Sequence, residues 1–251
     1  MIKIAIHGCC GAMGRVIASM AAQEDGIEIA AGIDRMGKVP YNYPVFSSLK
    51  DWNGQADVIV DFSAAPAVDE LLNFCEEKKM PVVLCTTGLS ESQKKRVAEA
   101  AKFAPILWSA NMSLGINLLL KLVAEAAKVL TEAGFDMEIV EKHHNQKKDA
   151  PSGTALALAD ALNQAMDQAY HNVFDRSHSR EKRDPREIGI SSVRGGTIVG
   201  EHDVIFAGTD EVITISHTAY SKAIFAKGAL AAAKFLADKP AGLYSMSDVI
   251  E

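Results

Sequence analysis

Aromatic residues are scarce in this chain, where they make up 6% of the 251 residues. An apolar run long enough to span a bilayer is missing as well, so no membrane partner is expected. The N-terminus, "MIKIAIHG", lacks the basic, apolar and small-residue regions of a signal peptide and is typical of a strand that begins at once. Repeats and low-complexity tracts are also absent. We therefore expect an ordinary globular protein.

An excess of positive charge is missing too. The formal net charge is −6, which argues against a nucleic-acid partner, because nucleic-acid binders usually present a basic face. Cysteine is limited to Cys9, Cys10, Cys75 and Cys85. Their positions predict neither a disulfide framework nor a zinc site, and a reducing cytoplasm is the simplest location.

Strands and helices alternate through the first part of the chain. The predicted strands cover residues 2–7, 27–34, 57–63, 81–88 and 105–111, and the helical patterns begin at Arg15 and cover 67–79 and 91–104. Strands that are regularly separated by helices predict a parallel sheet with right-handed crossovers.

The pattern then changes. A long amphipathic helix at 115–133 precedes a strand at 136–144, a helix at 154–168 and a polar surface loop at 175–187. Three strands follow at 188–195, 197–208 and 210–220, and their short glycine-containing connections predict antiparallel neighbours. The last helix, within 222–239, has a small apolar face suited to packing back on a sheet.

A glycine-rich turn, "GCCGAMG", follows the first strand and opens a helix. Gly8 allows a tight turn, Gly11 lets a pyrophosphate approach the backbone, and Gly14 lets the helix pack close to the strand. The spacing is GxxGxxG rather than the commoner GxGxxG, so a purely structural turn is the alternative. Asp34 ends the second strand and could accept from ribose hydroxyls, which favours NADH. Arg35 beside it could instead meet the 2′-phosphate of NADPH.

These patterns give the expected fold class, α/β with two domains. Residues 1–112 and 222–251 are predicted to form a Rossmann-like dinucleotide-binding domain. Residues 113–221 are predicted to form an α+β domain with a mixed open sheet, whose exposed edges and faces a partner subunit could cover. The segments "DFS" (61–63) and "CTTG" (85–88) end two strands where ligands usually bind, although ordinary turn chemistry explains them equally well.

The stretch "EKHHNQKKDAPSGTA", residues 141–155, gathers positive charge and hydrogen-bond donors at one place. His143 and His144 end a strand, Lys147 follows, and Ser152–Thr154 opens a helix whose free N–H groups favour an anion. A substrate with two carboxylates would satisfy this arrangement, and a histidine or Lys147 could supply a proton. A solvated loop is the plain alternative. Metal binding, with His202 as a distant third ligand, lacks any familiar spacing.

Residues 141–155 closely resemble the E-x-H-H-x-x-K-x-D-A-P-S-G-T-A signature of the 4-hydroxy-tetrahydrodipicolinate reductase (dihydrodipicolinate reductase) family. The segments "GCCGAMG", "VIVDFS", "CTTG", "SANMSLGIN" and "VRGGTIVGEHDVIF" resemble further family motifs in the same order, so the resemblance covers essentially the whole chain. It implies reduction of a cyclic dicarboxylate by NADH or NADPH in diaminopimelate and lysine biosynthesis. It also implies a homotetramer joined through the sheets of the substrate domains.

The resemblance also implies the roles of individual residues. His143 and Lys147 are expected to be catalytic, with the decisive proton left open between them. His144, Ser152, Gly153 and Thr154 are expected to bind substrate. The expected cofactor contacts are Gly8, Cys9, Cys10, Gly11, Ala12, Met13, Asp34, Arg35, Cys85, Thr86, Thr87, Ala110, Asn111, Met112 and Ser113.

Three departures from the family pattern bear on these expectations. Many members carry arginine where this chain has Ala12, so we expect use of both dinucleotides with a preference for NADH. Lys222 replaces an arginine of some members and keeps the positive charge. Cys9 and Cys10 are an unusual pair that could confer sensitivity to thiol reagents. The rival readings are an aspartate dehydrogenase-like enzyme and a redox-sensing nucleotide-binding module without turnover.

Overall fold

The computed structural model describes residues 1–36, 41–109 and 111–250. They fall into two compact units, Met1–Leu114 with Ala223–Glu251, and Gly115–Lys222. The predicted fold class is confirmed: the first unit contains a parallel, Rossmann-like sheet, and the second contains a separate mixed sheet.

The first unit is built on seven parallel strands. They are β1 (Ile2–His7), β2 (Ile27–Ile33), β3 (Val45–Phe46), β4 (Val58–Asp61), β5 (Val82–Leu84), β6 (Pro105–Trp108) and β12 (Gly242–Tyr244), in the order β12-β6-β5-β4-β1-β2-β3. The helices of this unit are α1 (Ala12–Ala21), α2 (Val68–Lys78), α3 (Glu91–Ala100), α6 (Ala223–Leu236) and α7 (Met246–Val249). The strands β3 and β12 and the short helix α7 were not predicted.

Alternation along each strand divides the core of the first unit into two layers. Ile4 and Ile6 of β1 pack with α1 and α6 on one face of the sheet. Ala5, between them in sequence, points to the opposite face and packs with α2 and α3. Because both faces are covered, the five longer or central strands have nearly continuous apolar sequences, which is why they could be located from the sequence; they are β1, β2, β4, β5 and β6.

The second unit is built on five strands and two helices. The elements are α4 (Leu114–Leu130), β7 (Asp136–His143), α5 (Gly153–Ala165), β8 (His171–Phe174), β9 (Glu187–Arg194), β10 (Gly200–Ala207) and β11 (Val212–Ala219), with the strand order β11-β10-β7-β9-β8. Apolar residues of α4 and α5 pack on one face of this sheet.

One strand pairing in the second unit differs from the prediction. β10 and β11 are antiparallel neighbours as expected, but β9 and β10 are not neighbours. β7 lies between them, parallel to β9 and antiparallel to β10. Residues 195–199 can reach past β7, because each extended residue spans about 3.3 Å and neighbouring strands lie only about 4.8 Å apart. A short connection therefore did not require adjacent strands.

The polar segment 175–187 is also more than a solvated surface loop. The guanidinium of Arg183 donates to Asp136 at 2.7 Å and to Glu138 at 3.0 Å, and the Arg183 side chain is only 16% exposed. Glu187, at the end of the segment, is buried and pairs with Arg176. The segment is therefore fastened to β7 by ion pairs that its composition did not reveal.

Candidate active site

The glycine turn has the backbone geometry that the sequence predicted. Gly8 has a φ of +80°, and a Cβ there would lie 2.7 Å from the carbonyl oxygen of Phe62. A Cβ on Gly14 would lie 2.3 Å from the carbonyl oxygen of Gly8. α1 begins at Ala12, before the predicted Arg15, and its N-cap Gly11 provides no side-chain cap for the first N–H groups. These groups are suited to an anion.

Replacing Gly14 with alanine is expected to destabilise the first unit by at least about 1–3 kcal/mol, because the added methyl group meets fixed backbone rather than a movable side chain. Urea unfolding of the variant measures this loss. Gly195→Ala is a matched control, since nothing lies within 4 Å of a Cβ at that position. Equal stability of the two variants would contradict the close approach of α1 and the turn.

Asp34 and Arg35 border a cavity at the end of β2. The cavity has a volume of about 480 Å³ and is lined by Cys10, Gly11, Asp34, Arg35 and Met36. The Asp34 carboxylate accepts from the backbone N–H groups of Cys10 and Met36, each at 3.0 Å, which fixes its orientation. An uncapped helix start, a glycine backbone and an oriented acceptor in one cavity fit the pyrophosphate and ribose of a dinucleotide.

The strand ends "DFS" and "CTTG" meet at a buried carboxylate. Asp61 accepts from the Thr86 hydroxyl at 2.6 Å and from the Ser63 N–H at 3.2 Å, and it pairs with the His7 ring at 2.7 Å. Cys85 is buried, and burial raises the pKa of its thiol well above the usual value. The side chains of Cys85 and Thr86 thus belong to the interior, whereas Thr87 is exposed. Their contact with a cofactor remains a prediction.

The segment 110–113, expected to contact the cofactor, is only partly described. Ala110 lies outside the described residues. The Asn111 side chain accepts from the backbone N–H of Ser113 at 2.9 Å. Met112 is buried, and its carbonyl oxygen is so close to α6 that a Cβ on Gly228 would collide with it. Residues 111–113 are therefore packed within the first unit, and their cofactor contacts stay a prediction.

In the second unit, one fully buried carboxylate organises the stretch 141–155. Glu141 receives two hydrogen bonds from the guanidinium of Arg194, at 2.6 and 2.7 Å. It also contacts Nδ1 of His143 at 2.5 Å and accepts from the backbone N–H of Ser152 at 3.0 Å. A single side chain thus connects the end of β7, the start of α5 and the end of β9.

Glu141 is ionised despite its burial. Burial alone would raise the pKa of this carboxyl, but the hydrogen bonds from Arg194 and its other donors lower the pKa from 4.5 to about 2. A carboxyl group whose pKa is lower in the folded state than in the unfolded state stabilises the folded state at pH values above the unfolded pKa. Its contribution is therefore complete above about pH 4.5 and is lost as the pH falls toward 2.

His143 and His202 form a buried pair beside this carboxylate. Their ring centroids are 5.1 Å apart in an edge-to-face arrangement. Gly200 makes room for the pair, because a Cβ there would lie 3.1 Å from Nε2 of His143. Nε2 of His202 is 3.0 Å from the Ser152 hydroxyl, whereas Nδ1 of His202 has no hydrogen-bond partner in the described part of the chain. Burial and repulsion by His143 lower the pKa of His202 to about 4.

The shift of His202 predicts a loss of stability on mild acidification. Its pKa falls from 6.5 to about 4 on folding, so the unfolded chain binds the additional proton between these values. The free energy of unfolding should therefore decline as the pH drops through this window, by up to about 1.4 kcal/mol per pH unit. His202→Gln should flatten the decline measured by urea unfolding, and exposed His178→Gln should not. Equal slopes in both variants would contradict the burial of a neutral His202.

The remaining predicted residues lie around the start of α5. Lys147 forms an ion pair with Asp149 at 2.9 Å, and the backbone carbonyl of Asp149 accepts from Arg194 at 2.7 Å. The Ser152 hydroxyl is occupied as the N-cap of α5, where it accepts from the Ala155 N–H at 3.1 Å. Gly153 is exposed, and nothing lies within 4 Å of a Cβ there. The open backbone at Gly153 is thus better placed for a ligand than the Ser152 side chain.

The structure therefore brings the predicted residues of 141–155 together and adds three to them. Glu141 and Arg194 stood in motifs of the sequence, but their pairing was not predicted, because β7 and β9 were not expected to be neighbours. His202 was considered only as a metal ligand. Instead it contacts His143 and Ser152 on the side of the sheet that faces the helices. His144 follows the end of β7 and is half-buried.

Comparisons with known proteins find relatives over the whole length of the chain. Residues 2–112 match the profile described as dihydrodipicolinate reductase, N-terminus, and residues 115–250 match that of its C-terminus. The chain is 55% identical over 251 residues to the 4-hydroxy-tetrahydrodipicolinate reductase of Caldanaerobacter subterraneus, with 100% of this chain and 99% of the relative covered. The corresponding enzyme of Clostridium novyi is 44% identical over 252 residues, with the same coverage.

A solved structure is similar to the whole chain. The dipicolinate-bound dihydrodipicolinate reductase of Paenisporosarcina sp. TG-14 superposes with a TM-score of 0.82 at 25% identity, covering 98% of this chain and 97% of the other. Both sequence profiles, the full-length relatives and this structure lead to the same assignment. The chain belongs to the dihydrodipicolinate reductase family.

Proposed function

We propose that the protein catalyses the NAD(P)H-dependent reduction of 4-hydroxy-tetrahydrodipicolinate to tetrahydrodipicolinate, a step of diaminopimelate and lysine biosynthesis. The observation that carries this proposal is the cluster at the start of α5, where His143 and the Ser152–Thr154 turn are held by Glu141. Relatives that match the full chain carry the name of this activity, and the Paenisporosarcina relative binds dipicolinate, a cyclic dicarboxylate.

The anion-binding part of the site would be the first turn of α5. A substrate carboxylate at Gly153 and Thr154 would face the positive end of the helix and its N–H groups. A Cβ on Gly153 would meet no other atom within 4 Å, so a ligand can approach the backbone there. Lys147 and His144 would attract the second carboxylate, with Lys147 as the compact positive charge.

The proton would come from His143 or Lys147. The contact of His143 Nδ1 with the Glu141 carboxylate, at 2.5 Å, orients the imidazole ring for proton transfer. Lys147 is only 21% exposed, and its ammonium pairs with Asp149 at 2.9 Å. Because His202 stays neutral at pH 7, it adds no positive charge beside either donor.

The first unit would hold the dinucleotide, which when bound supplies the hydride. The Asp34 carboxylate would accept from the ribose hydroxyls, and the absence of an arginine at Ala12 favours NADH. Arg35 would still allow some use of NADPH, because a guanidinium pairs well with a phosphate.

The ratio of dissociation constants for NADH and NADPH, measured in wild type and in Arg35→Ala, tests this preference. The variant should lose affinity for NADPH and keep its affinity for NADH.

A coupled assay tests the reaction itself. Substrate is generated in place by the preceding synthase, and oxidation of NADH and NADPH is followed side by side. The same protein is then offered oxaloacetate with ammonia, the substrates that an aspartate dehydrogenase-like enzyme would use. Turnover of the synthase product alone supports the proposal. Dinucleotide binding without any turnover would favour the redox-sensing module instead.

A homotetramer in the cytoplasm completes the proposal. One face of the second sheet is covered by α4 and α5, whereas the opposite face carries Val140, Ile205 and Thr214. On the edge strand β11, Val212 is 62% exposed. Pairing of this face between copies would bury these side chains. Light scattering after gel filtration measures the mass, and a monomer would contradict the proposed tetramer.

Among the described residues, no helix is long and apolar enough to cross a membrane.

A further inference from the structure

Two adjacent cysteines in the glycine turn lie next to the carboxylate of Asp34. The sulfur atoms of Cys9 and Cys10 are 3.9 Å apart. Their Sγ atoms and a carboxylate oxygen of Asp34 all lie within 4.8 Å of one another. Cys10 and Asp34 line the cavity of about 480 Å³ at the end of β2, whereas Cys9 is fully buried with its sulfur next to Gly32. The reaction proposed above uses neither thiol.

The separation of the two sulfur atoms is that of two ligands on one metal ion. Tetrahedral zinc binds thiolates at about 2.3 Å, which places two sulfur ligands about 3.8 Å apart. The observed separation of 3.9 Å requires almost no adjustment. A carboxylate oxygen at about 2.1 Å would supply a third ligand, and the cavity would leave a fourth position for water. Two soft sulfur ligands select zinc-like ions over magnesium or calcium.

We propose that Cys9, Cys10 and Asp34 bind a thiophilic divalent cation of the zinc class, and that the cation and the dinucleotide exclude each other. The exclusion rests on the proposed function, since it requires a dinucleotide in this cavity. The Asp34 carboxylate cannot bind a metal ion and accept hydrogen bonds from the ribose hydroxyls at the same time. The cation and its water would also occupy the space between Gly11 and Arg35 where the ribose is expected. The site would therefore be inhibitory.

Binding at this site must displace protons. Burial and the neighbouring Cys10 raise the pKa of Cys9 to about 12, and burial also raises the pKa of Cys10. The other ionisable groups that act on the pair are Asp34, Arg15, Tyr41 and Tyr43. Since a metal-bound thiol is deprotonated, affinity should rise with pH and about two protons should leave per cation. The same protonated, buried thiols should react slowly with alkylating reagents, contrary to the sensitivity expected from the sequence.

Cadmium titration of the dinucleotide-free protein tests the site without an activity assay. A thiolate-to-cadmium charge-transfer band should saturate at one ion per chain, with proton release detected by an indicator dye. Cys9→Ala and Cys10→Ala should each weaken binding at least tenfold. Cys75→Ala, which removes a buried thiol from α2, should leave binding unchanged. An unchanged band in both Cys9→Ala and Cys10→Ala would overturn the proposal.

Competition tests the exclusion. NADH at ten times its dissociation constant should raise the apparent dissociation constant of cadmium about tenfold. Zinc, monitored by displacement of cadmium, should behave in the same way. Simultaneous binding of cation and NADH to one chain would overturn the exclusion and leave the cation site. A protein that binds cadmium but no dinucleotide at all would instead contradict the proposed function, so the two failures are distinguishable.

Discussion

Lys147→Ala is expected to lower kcat by about 10²- to 10⁴-fold, the usual contribution of a positioned proton donor. The dissociation constant for NADH should stay nearly unchanged, because Lys147 belongs to the second unit and the glycine turn to the first. Lys147 is 21% exposed and is paired with Asp149 at 2.9 Å, so it lies at the start of α5 rather than in open solvent. Steady-state kinetics with the synthase product and NADH fluorescence titration measure the two quantities.

Lys148→Ala is the matched control for this prediction. Lys148 is the next residue and is exposed, so its removal changes the net charge equally without touching the cluster. Its kcat should stay within about twofold of wild type, since isolated surface charges contribute little. Equal losses of kcat in both variants would mean that Lys147 contributes only positive charge to the site and is not a proton donor. Loss of NADH binding in Lys147→Ala would contradict the assignment of Lys147 to the substrate rather than to the dinucleotide.

Glu141→Gln is expected to cost about 3 kcal/mol of unfolding free energy, together with most of the activity. Removing one partner of a buried ion pair typically costs about 3–5 kcal/mol, because the other charge is left unpaired. The lower end applies here, since the side chain of Arg194 remains 19% exposed. The activity should fall as well, because the same carboxylate orients His143 and the start of α5. Urea unfolding at pH 7 measures the stability.

Glu138→Gln provides the control from the same strand. Glu138 also pairs with an arginine, Arg183, but its side chain is 31% exposed, so the substitution should cost less than about 1 kcal/mol.

The difference in unfolding free energy between wild type and Glu141→Gln should also narrow as the pH falls from 4.5 toward 2, where Glu141 becomes protonated. A difference that is constant over this range would mean that Glu141 acts by its shape rather than by its charge.

The parts of the fold that could be predicted are those encoded in neighbouring residues. β1 was located at residues 2–7 because its apolar run is bounded by the glycine turn. The glycine turn was recognisable because a tight turn at Gly8 and close packing of α1 at Gly14 both require glycine. The structure has both features, since a Cβ at either position would collide with backbone atoms. The position of α5 followed from the Ser152–Thr154 turn, and the Ser152 hydroxyl caps the helix. Each of these signals lies within a few residues of the feature that it specifies.

The parts that could not be predicted depend on pairings between distant segments. No local signal shows that β7 lies between β9 and β10. The pairing of β7 with β9 brings Arg194 to Glu141, and the pairing of β7 with β10 brings His202 to His143, so the two pairings create the buried network of the site. The short strand β12 was missed for the same reason, since its three residues gain their structure from pairing with β6. Sequence patterns located the reactive residues, and tertiary pairing supplied their partners.

The most direct test of the proposed reaction is to follow the hydride itself. The protein is incubated with synthase-derived substrate and NADH that carries deuterium at the transferable position of the nicotinamide, and the product is examined by mass spectrometry. We predict tetrahydrodipicolinate with one deuterium per molecule in wild type, formed much more slowly by Lys147→Ala. Consumption of NADH with an unlabelled product, or no product at all from a protein that binds both ligands, would contradict the account.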